Sequence, residues 1–550
     1  ITEPLPTDVQ EHKTAKEDLT IKKYSMIPEG LEKLPIQEWT NKHENFTHDL
    51  VPDTSFKVYN PSGSSRRERY HKTTKNFQWL IKHAVDSNIR LRAMGSGWSF
   101  TKVGVTEGGL IDTASLNFSF PLTRKYVAND YQKQVEDLYF LQCGSIIYEI
   151  NNRLASKDPA RSIKASGASN GQTIAGALST GTHGAAFEVG AIQDFVVGLH
   201  LVTGPDEHVW LERASYPVAA PDFVNWLDAK IIKDDALFEA ALVSFGSFGF
   251  IHGVMIETEP VFLLEEHRKG DIPYNDVLKK AMTQLDFSGL NLPGAAPNKE
   301  LYHFEVLFNL HKFEKNNPQK GAFLKYMYKK PYQLPYTPVV RDNNFTYGDD
   351  LLGIISSTLD RLGVVSDLLI PPMVNVMFGL AFAPQPPQTG TIRELFNYTK
   401  FRGKVASAAI GIDIADAAKV VEEIIDVNKK CPFPGGLSLR YVKGTKATLG
   451  FTKFPHTCVL EMDGVDSKAA RTFYEAVWNR LEEKNIPYTL HWGKINFNLN
   501  KARIKNMYGT SNVNAWIDAR NTLLSNDVAK VFNNKFIERC GLDTILGAIV

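Results

Sequence analysis

The sequence predicts an α+β chain of two or three domains, and three observations carry that expectation. From about residue 55 to 260, short apolar runs, glycine turns and helical stretches alternate, as in a mixed layer domain. Beyond Pro260 the composition changes, and strand, strand, helix, strand, strand, helix follow, the pattern of an antiparallel sheet covered by helices on one face. At 550 residues, the chain is also too long for a single core.

Each element has its own signal. Residues 1–50 are polar and charged, lack sustained periodicity, and read as an arm packed on the outside. Residues 77–85 place Leu80, Ile81, His83 and Ala84 on the inner side of a helix. Strand-like runs follow at 89–93, 109–111 and 139–143, then a short helix at 146–154. The Val- and Leu-rich run 194–203 ends at Gly204-Pro205-Asp206, a turn signal after a strand. In the second half, 300–312 alternates with period two, and 404–414, 437–442 and 457–462 read as further strands. Between them, 416–430 carries Val420, Val421, Ile424 and Ile425 on one helical face, and 467–484 carries Phe473, Val477 and Leu481, with Asp466 or Ser467 as its N-cap. The most apolar stretch, 362–382, is interrupted by Ser366, Asp367, Pro371, Pro372 and Asn375, so it is a buried or lid-like segment rather than a transmembrane one. The Pro-rich residues 383–390 form a loop or lid. The last sixty or so residues change character again and return to the first domain.

Composition excludes several functions. A formal net charge of +1 gives no push toward nucleic acid or acidic membranes. The four cysteines, Cys143, Cys431, Cys458 and Cys540, are scattered without a CxxC pair, which argues against zinc, thioredoxin-like chemistry and a disulfide framework. The chain starts at Ile1 without an initiator Met, so the lack of a signal peptide in it proves nothing. Sequons at Asn45, Asn117, Asn344 and Asn397 lean toward a secreted or periplasmic setting over the cytoplasm.

The chemistry-bearing segments are rich in glycine. Residues 92–101 (Arg-Ala-Met-Gly-Ser-Gly-Trp-Ser-Phe-Thr) form a turn directly behind the apolar run 89–91. Gly95 and Gly97 allow backbone N–H groups to converge on an anion such as a pyrophosphate. Residues 165–184 are dominated by small and hydroxyl side chains, so that backbone can lie close to a flat ligand. Residues 244–254 (Ser-Phe-Gly-Ser-Phe-Gly-Phe-Ile-His-Gly-Val) are a turn feeding a strand.

In this order, the three segments resemble the FAD domain of the vanillyl-alcohol oxidase superfamily. Leu490-His-Trp-Gly-Lys494, followed by Arg520 and residues 531–536, resembles its sugar-1,4-lactone oxidase and alditol oxidase branch. The resemblance implies an arm at 1–50, an FAD-binding domain at 51–260, a substrate or cap domain at 261–488 built as an antiparallel sheet plus helices, and a segment at 489–550 returning to the FAD domain. It implies that Gly95, Ser96, Gly97 and Ser99 wrap the FAD pyrophosphate, with Trp98 among the cofactor-binding residues. Ser166, Gly167, Thr173, Gly176, Thr180, Thr182, His183 and Gly184 would line the flavin, and Gly246, Gly249 and Val254 would approach the adenine half. Lys494, beside His491, would lie near the pyrimidine edge, where a cation stabilises the negative charge of reduced flavin. The implied reaction is hydride transfer from a CH–OH donor (a polyol, sugar lactone or related secondary alcohol) to flavin N5, with dioxygen or another acceptor reoxidising the flavin.

Two departures qualify this reading. Relatives carry a Glu-x-Arg pair on a strand facing the flavin; here Arg440 is in place and Ser438 occupies the Glu position. A serine hydroxyl without a partner is a poor base near neutral pH, so another group must serve, with Asp413, Tyr441, His456 and Glu461 as nearby candidates. Many relatives also carry a flavin-linking His where this chain has Trp98, so non-covalent FAD is expected. Two alternatives stand beside the main reading: a sterol or other apolar-alcohol oxidase, suggested by the greasy 362–382 region, and a flavin-binding protein without alcohol-oxidising activity.

Overall fold

A long N-terminal helix, α1 (Arg66–Ser87), opens the first half; Ser65 caps it by accepting from the Glu68 N–H, and Asn88 ends it in the left-handed region. It begins eleven residues before the stretch that the sequence marks as helical. The reason is that the first turns are polar and bury only Tyr70, Thr73, Thr74 and Asn76 before Phe77. The chain is seen in a computed structural model that describes residues 26–167, 169–313, 320–338, 369–396 and 405–545.

Two sheets flank this helix. Strands β1 (Leu31–Lys33), β2 (Phe56–Val58), β3 (Leu91–Met94) and β4 (Gly109–Asp112) form a sheet in the order β1-β2-β4-β3, with β4 parallel to both neighbours. The other contains β5 (Ser119–Pro121), β6 (Leu138–Gln142), β7 (Val196–Val202), β8 (His208–Glu212), β9 (Lys230–Lys233) and β10 (Phe250–Glu257), in the order β9-β8-β7-β10-β6-β5. Strands β7 and β10 are buried along their whole length, as their near-continuous apolar runs require. A short helix, α2 (Ile174–Thr180), lies within the second glycine-rich segment, and α3 (Asp235–Leu242) precedes the third.

The second half is one eight-stranded antiparallel sheet. Strands β11 (Phe262–Lys269), β12 (Glu300–Phe308), β13 (Ala322–Pro331), β14 (Gln388–Gly390), β15 (Val405–Asp413), β16 (Gly435–Lys443), β17 (His456–Val465) and β18 (Thr489–Leu490) are arranged β14-β11-β13-β12-β16-β17-β15-β18. Helices α5 (Ala417–Lys430) and α6 (Lys468–Glu483) present the apolar faces read from the sequence, and Ser467 caps α6. Between the β-strands, α4 (Ile370–Ala381) begins with Pro371 and Pro372 in its first turn, where the missing N–H groups cost nothing. Of the apolar 362–382 stretch, residues 362–368 lie outside the described residues; of the Pro-rich 383–390 stretch, the last three pair with β11.

The tail packs on the first half. From α7 (Thr510–Leu523), Trp516 donates to the Val243 carbonyl at 3.0 Å and Arg520 to that of Ser247 at 2.9 Å, both in the third glycine-rich segment or next to it. The start of the chain does more than coat the surface. Leu31–Lys33 supplies the edge strand of the first sheet, and Trp39 and His43 reach the central cavity.

Candidate active site

One face of the eight-stranded sheet and the glycine-rich segments enclose a cavity of about 540 Å³. On its glycine-rich side, Gly95 touches α2 so closely that a Cβ would come 2.2 Å from Thr173 Oγ1. Gly97 has φ +70°, a conformation that side-chain-bearing residues rarely adopt. Thr173 caps α2 by accepting from the Gly176 N–H at 3.3 Å. Arg92, fully buried, donates to the carbonyls of Phe245 at 2.8 Å and Phe532 at 3.1 Å, tying the first glycine-rich segment to the third and to the tail; burial, then the charge of Arg520, lowers its pKa to about 9.

On the sheet side, the period of two decides which residues face the cavity. Ser438 and Arg440 on β16, Glu461 and Asp463 on β17, and Ser407 on β15 all line it. The register sets Ser438 opposite Glu461, and Asp463 between Gly436 and Ser407. Glu305 on β12 lies opposite Arg440, and His303 is two residues before it on the same face. Arg440 therefore sits between two buried carboxylates, with Nη1 3.0 Å from Glu461 Oε2 and Nε 3.3 Å from Glu305 Oε1. Ser438 Oγ donates to Glu305 Oε1 at 2.6 Å.

The C-terminal motif closes the ring. His491 N–H donates to the Ala409 carbonyl and Ile495 N–H to that of Ser407, so the segment runs along β15 beyond β18. Trp492, fully buried, donates to the Leu449 carbonyl at 2.7 Å. The Phe100 N–H donates to the Gly493 carbonyl at 2.8 Å, which joins the first glycine-rich segment to this motif. Lys494 Nζ donates to Ser407 Oγ at 2.5 Å and lies 3.6 Å from Glu461 Oε1 and 3.8 Å from Asp463 Oδ1.

The charges are unequal in consequence. Burial pushes the Glu461 carboxyl up, but Arg440, Lys494 and His183 outweigh it and hold it well below its ordinary range. Glu305 is likewise lowered, with Arg440, His303 and Lys325 overriding burial. Asp463 is raised, because burial and the nearby Glu461 prevail over Lys494 and a short hydrogen bond from Ser407. His491 is pushed well below the imidazole range by burial, then by His183 and Lys494; its Nδ1 accepts from the Gly493 N–H at 3.0 Å. His183 Nδ1 lies 2.9 Å from the Gly184 carbonyl, and its Nε2 lies 3.5 Å from Glu461 Oε1.

The cavity wall includes most of the residues expected from the sequence. Gly95, Ser96, Gly97, Trp98 and Ser99 line it, as do Gly167, Thr173, Gly176, Thr180, Thr182, His183, Gly246 and Gly249, together with Arg440, His491 and Lys494. Ser166, Gly184 and Val254 lie behind it. The Ser166 hydroxyl is spent on Asn170 at 2.7 Å, a Cβ on Gly184 would meet the Ser166 carbonyl oxygen at 2.7 Å, and Val254 is fully buried in β10. Among the stand-in bases, only Glu461 lines the cavity. Asp413 accepts from the Ala415 N–H, Tyr441 is in the core, and His456 pairs with Glu188. Glu305, Asp463, Ser407 and His43 were not singled out by sequence. The alternation of 300–312 could have put Glu305 and His303 on one face, but the pairing of distant strands that completes the site leaves no local signal.

Residues 69–212 match the family model described as FAD binding domain. D-Arabinono-1,4-lactone oxidase of Kluyveromyces lactis is 27% identical over 186 residues, 33% of this chain and 30% of that protein. L-Gulono-1,4-lactone dehydrogenase of Mycobacterium tuberculosis is 28% identical over 188 residues, 34% of this chain and 36% of that protein. The chain thus spans about a third of the length of these curated relatives. Among solved structures, cholesterol oxidase from Brevibacterium sterolicum superposes with a TM-score of 0.65 at 15% identity, covering 98% of this chain and 100% of that one. The VAO-type flavoprotein MtVAO615 from Myceliophthora thermophila gives 0.54 at 13% identity, covering 86% of this chain and 78% of the other. The wall suits a flavin dinucleotide: close-approach glycines and α2 lie on one side, and buried polar atoms such as Ser96 Oγ and Gln172 Oε1 have no partner among the described residues. Residues 69–212 thus match the FAD binding domain family, in a chain that shares its overall fold with the solved structures of that cholesterol oxidase and that VAO-type flavoprotein.

Proposed function

We propose that this chain is an FAD-dependent oxidoreductase acting on a CH–OH donor, with dioxygen or another acceptor regenerating the oxidised cofactor. The observation that carries the reading is the meeting of the glycine-rich wall with Arg440, Glu461, Asp463 and Lys494 in one cavity. Gly95 to Ser99 and Gly246 and Gly249 would hold the dinucleotide, and Thr173 to His183 would line the flavin. When bound, FAD supplies the two-electron acceptor for oxidation of an alcohol to a carbonyl. Arg440, fixed between Glu305 and Glu461, donates toward the substrate oxygen. Ser438 commits its only proton to Glu305, so it holds that carboxylate beside Arg440 rather than acting as a base. Lys494 provides the positive charge that favours the reduced, anionic cofactor.

FAD is held non-covalently in this reading. Trp98 cannot form a histidyl link, and burial pushes the Cys143 thiol up to about 12, far from the reactive thiolate. Acid precipitation tests the attachment: yellow colour belongs in the supernatant, whereas colour in the pellet would reveal a covalent bond to another wall residue such as His43. Activity is tested by anaerobic incubation of the holoprotein with L-gulono-1,4-lactone, D-arabinono-1,4-lactone, xylitol and cholesterol. Bleaching of the flavin band by one of these supports the reading.

A second reading, an apolar-alcohol oxidase, draws on the outer wall. Leu307, Phe378, Ala381, Pro384, Val405 and Leu437 line that part of the cavity, and Val376 on α4 and Leu369 just before it are 62% and 47% exposed. Faster bleaching by cholesterol than by either lactone or by xylitol would favour it.

A further inference from the structure

Oxidation of CH–OH to C=O removes two electrons and two protons, and the position where a glutamate base is expected holds Ser438. We propose that Asp463 is the general base, the group that takes the hydroxyl proton of the substrate; this deepens the function proposed above and rests on it. In that step the alcohol O–H bond breaks, its proton binds an Asp463 oxygen to give the carboxylic acid, and the C=O double bond forms. The carbon-bound hydrogen and its electron pair leave for the two-electron acceptor already named.

The geometry selects Asp463 among the carboxyl groups near Arg440. Glu305 is 1% exposed, does not line the cavity, and is occupied by Arg440, Ser438 and His303. Glu461 lines the cavity but its side chain is only 4% exposed, and Arg440, Lys494 and His183 surround it. Its charge is needed to balance Arg440. Asp463 is also on the wall, two residues along β17, and its side chain is 35% exposed. Proton affinity agrees with placement: Glu461 and Glu305 are depressed, which makes them weak bases, while Asp463 is raised. A base is most effective when its pKa approaches the working pH.

The groups facing Asp463 come from every neighbouring element. Ser407 on β15 donates to it, Lys494 from the C-terminal motif lies at 3.8 Å, Glu461 precedes it on β17, Arg440 acts on it from β16, and Tyr474 on α6 feels its charge. Ser407 bridges Lys494 and Asp463, since its hydroxyl accepts from the ammonium and donates to the carboxylate. Ser407 is a positioning residue that holds Asp463 beside Lys494.

The test combines rapid-reaction kinetics with infrared spectroscopy. With whichever compound of the panel above reduces the wild-type holoprotein fastest, the reduction rate should rise with pH along a single acid limb. Asp463→Asn should lose that limb and slow reduction roughly 100-fold or more near neutral pH, in the range typical of a lost general base. Asp463→Glu should retain part of the rate. Lys494→Met should move the limb to higher pH, because it removes a charge that lowers the Asp463 pKa. Independently, the resting protein should show a carboxylic-acid carbonyl band that titrates above the ordinary aspartate range and disappears in Asp463→Asn. A variant Asp463→Asn that folds, binds FAD and reduces within threefold of the wild type with the same limb overturns the proposal. So does an Asp463 carboxyl found ionised throughout the infrared titration. If no panel compound reduces the wild type, the proposed function fails by that result, and the infrared titration still decides the protonation of Asp463.

Discussion

At the residue scale, the unexpected feature is how many functions Arg440 serves. It was recognisable from its place in a short strand motif, but its two carboxylate partners come from other strands. Arg440→Ala would leave Glu305 and Glu461 buried without their guanidinium, a loss of about 3–5 kcal/mol by analogy with broken buried pairs. The variant should therefore unfold at lower denaturant as well as slow flavin reduction, whereas Arg440→Lys should retain more of the fold while losing the two-pronged contact. Denaturation monitored alongside reduction rate separates these effects. Lys494→Met should lower the flavin reduction potential and slow reduction, as read by redox titration; an unchanged potential would remove Lys494 from the cofactor site. Trp98 was legible as a residue that blocks a histidyl link. His43, which packs edge-on against Trp98 at 5.4 Å and stacks on Phe100 at 4.1 Å, was not, because nothing in a polar arm signals that it turns inward.

At the element scale, local periodicity was a good guide wherever one face is apolar. The boundaries of α5, α6 and the strands β15 to β17 fall within a few residues of those read from the sequence, since each has a buried side and a capped or turn-bounded end. The polar start of α1 escaped detection because its buried residues there are threonines, an asparagine and a tyrosine. That helix also carries a pH prediction. Tyr70 bonds to His200 at 2.8 Å, and Thr74 to His252 at 3.0 Å; both imidazoles are fully buried, and burial pushes their pKa values well below the ordinary 6.5. The folded protein keeps these rings neutral, while the unfolded chain protonates them near 6.5. Their contribution to stability is thus present above that pH and lost as pH falls below it, at about 1.4 kcal/mol per pH unit for each ring. Denaturant titrations at pH 7 and pH 5 should show the loss, and replacing either histidine by Gln should reduce the pH dependence. A slope that is unchanged in both variants would contradict the assignment. The sequon at Asn45 illustrates the limit of a motif: its side-chain nitrogen donates to the Val405 carbonyl at 2.8 Å and to Asp466 at 2.7 Å, so in the folded protein it is engaged between the two halves.

At the scale of the whole molecule, the cavity exists because distant parts of the chain close on it. The glycine-rich wall was legible in the sequence as three segments in order; the sheet wall was not, because its charged row arises from the pairing of β12, β16, β17 and β15, separated by up to 158 residues between Glu305 and Asp463. The tail is a clamp on the glycine-rich side. Arg520 holds the Ser247 carbonyl, the Ala529 carbonyl at 2.7 Å and Asn533 at 2.8 Å, and burial lowers its pKa to about 10. Arg520→Ala should loosen the third glycine-rich segment and release flavin at a lower temperature, measured by the rise in free-flavin fluorescence on heating; release at the wild-type temperature would show that the clamp does not bear on the cofactor. Among the described residues no helix is long and apolar enough to cross a membrane. In the function proposed above, this cavity joins a dissociable flavin to alcohol oxidation. The direct measurement is the visible spectrum of the purified holoprotein before and after anaerobic addition of each compound in the panel. The expected result is an oxidised-flavin band that one alcohol bleaches and that air or an added electron acceptor restores. A protein that takes up no FAD, or whose flavin stays oxidised with every alcohol tested, would contradict it.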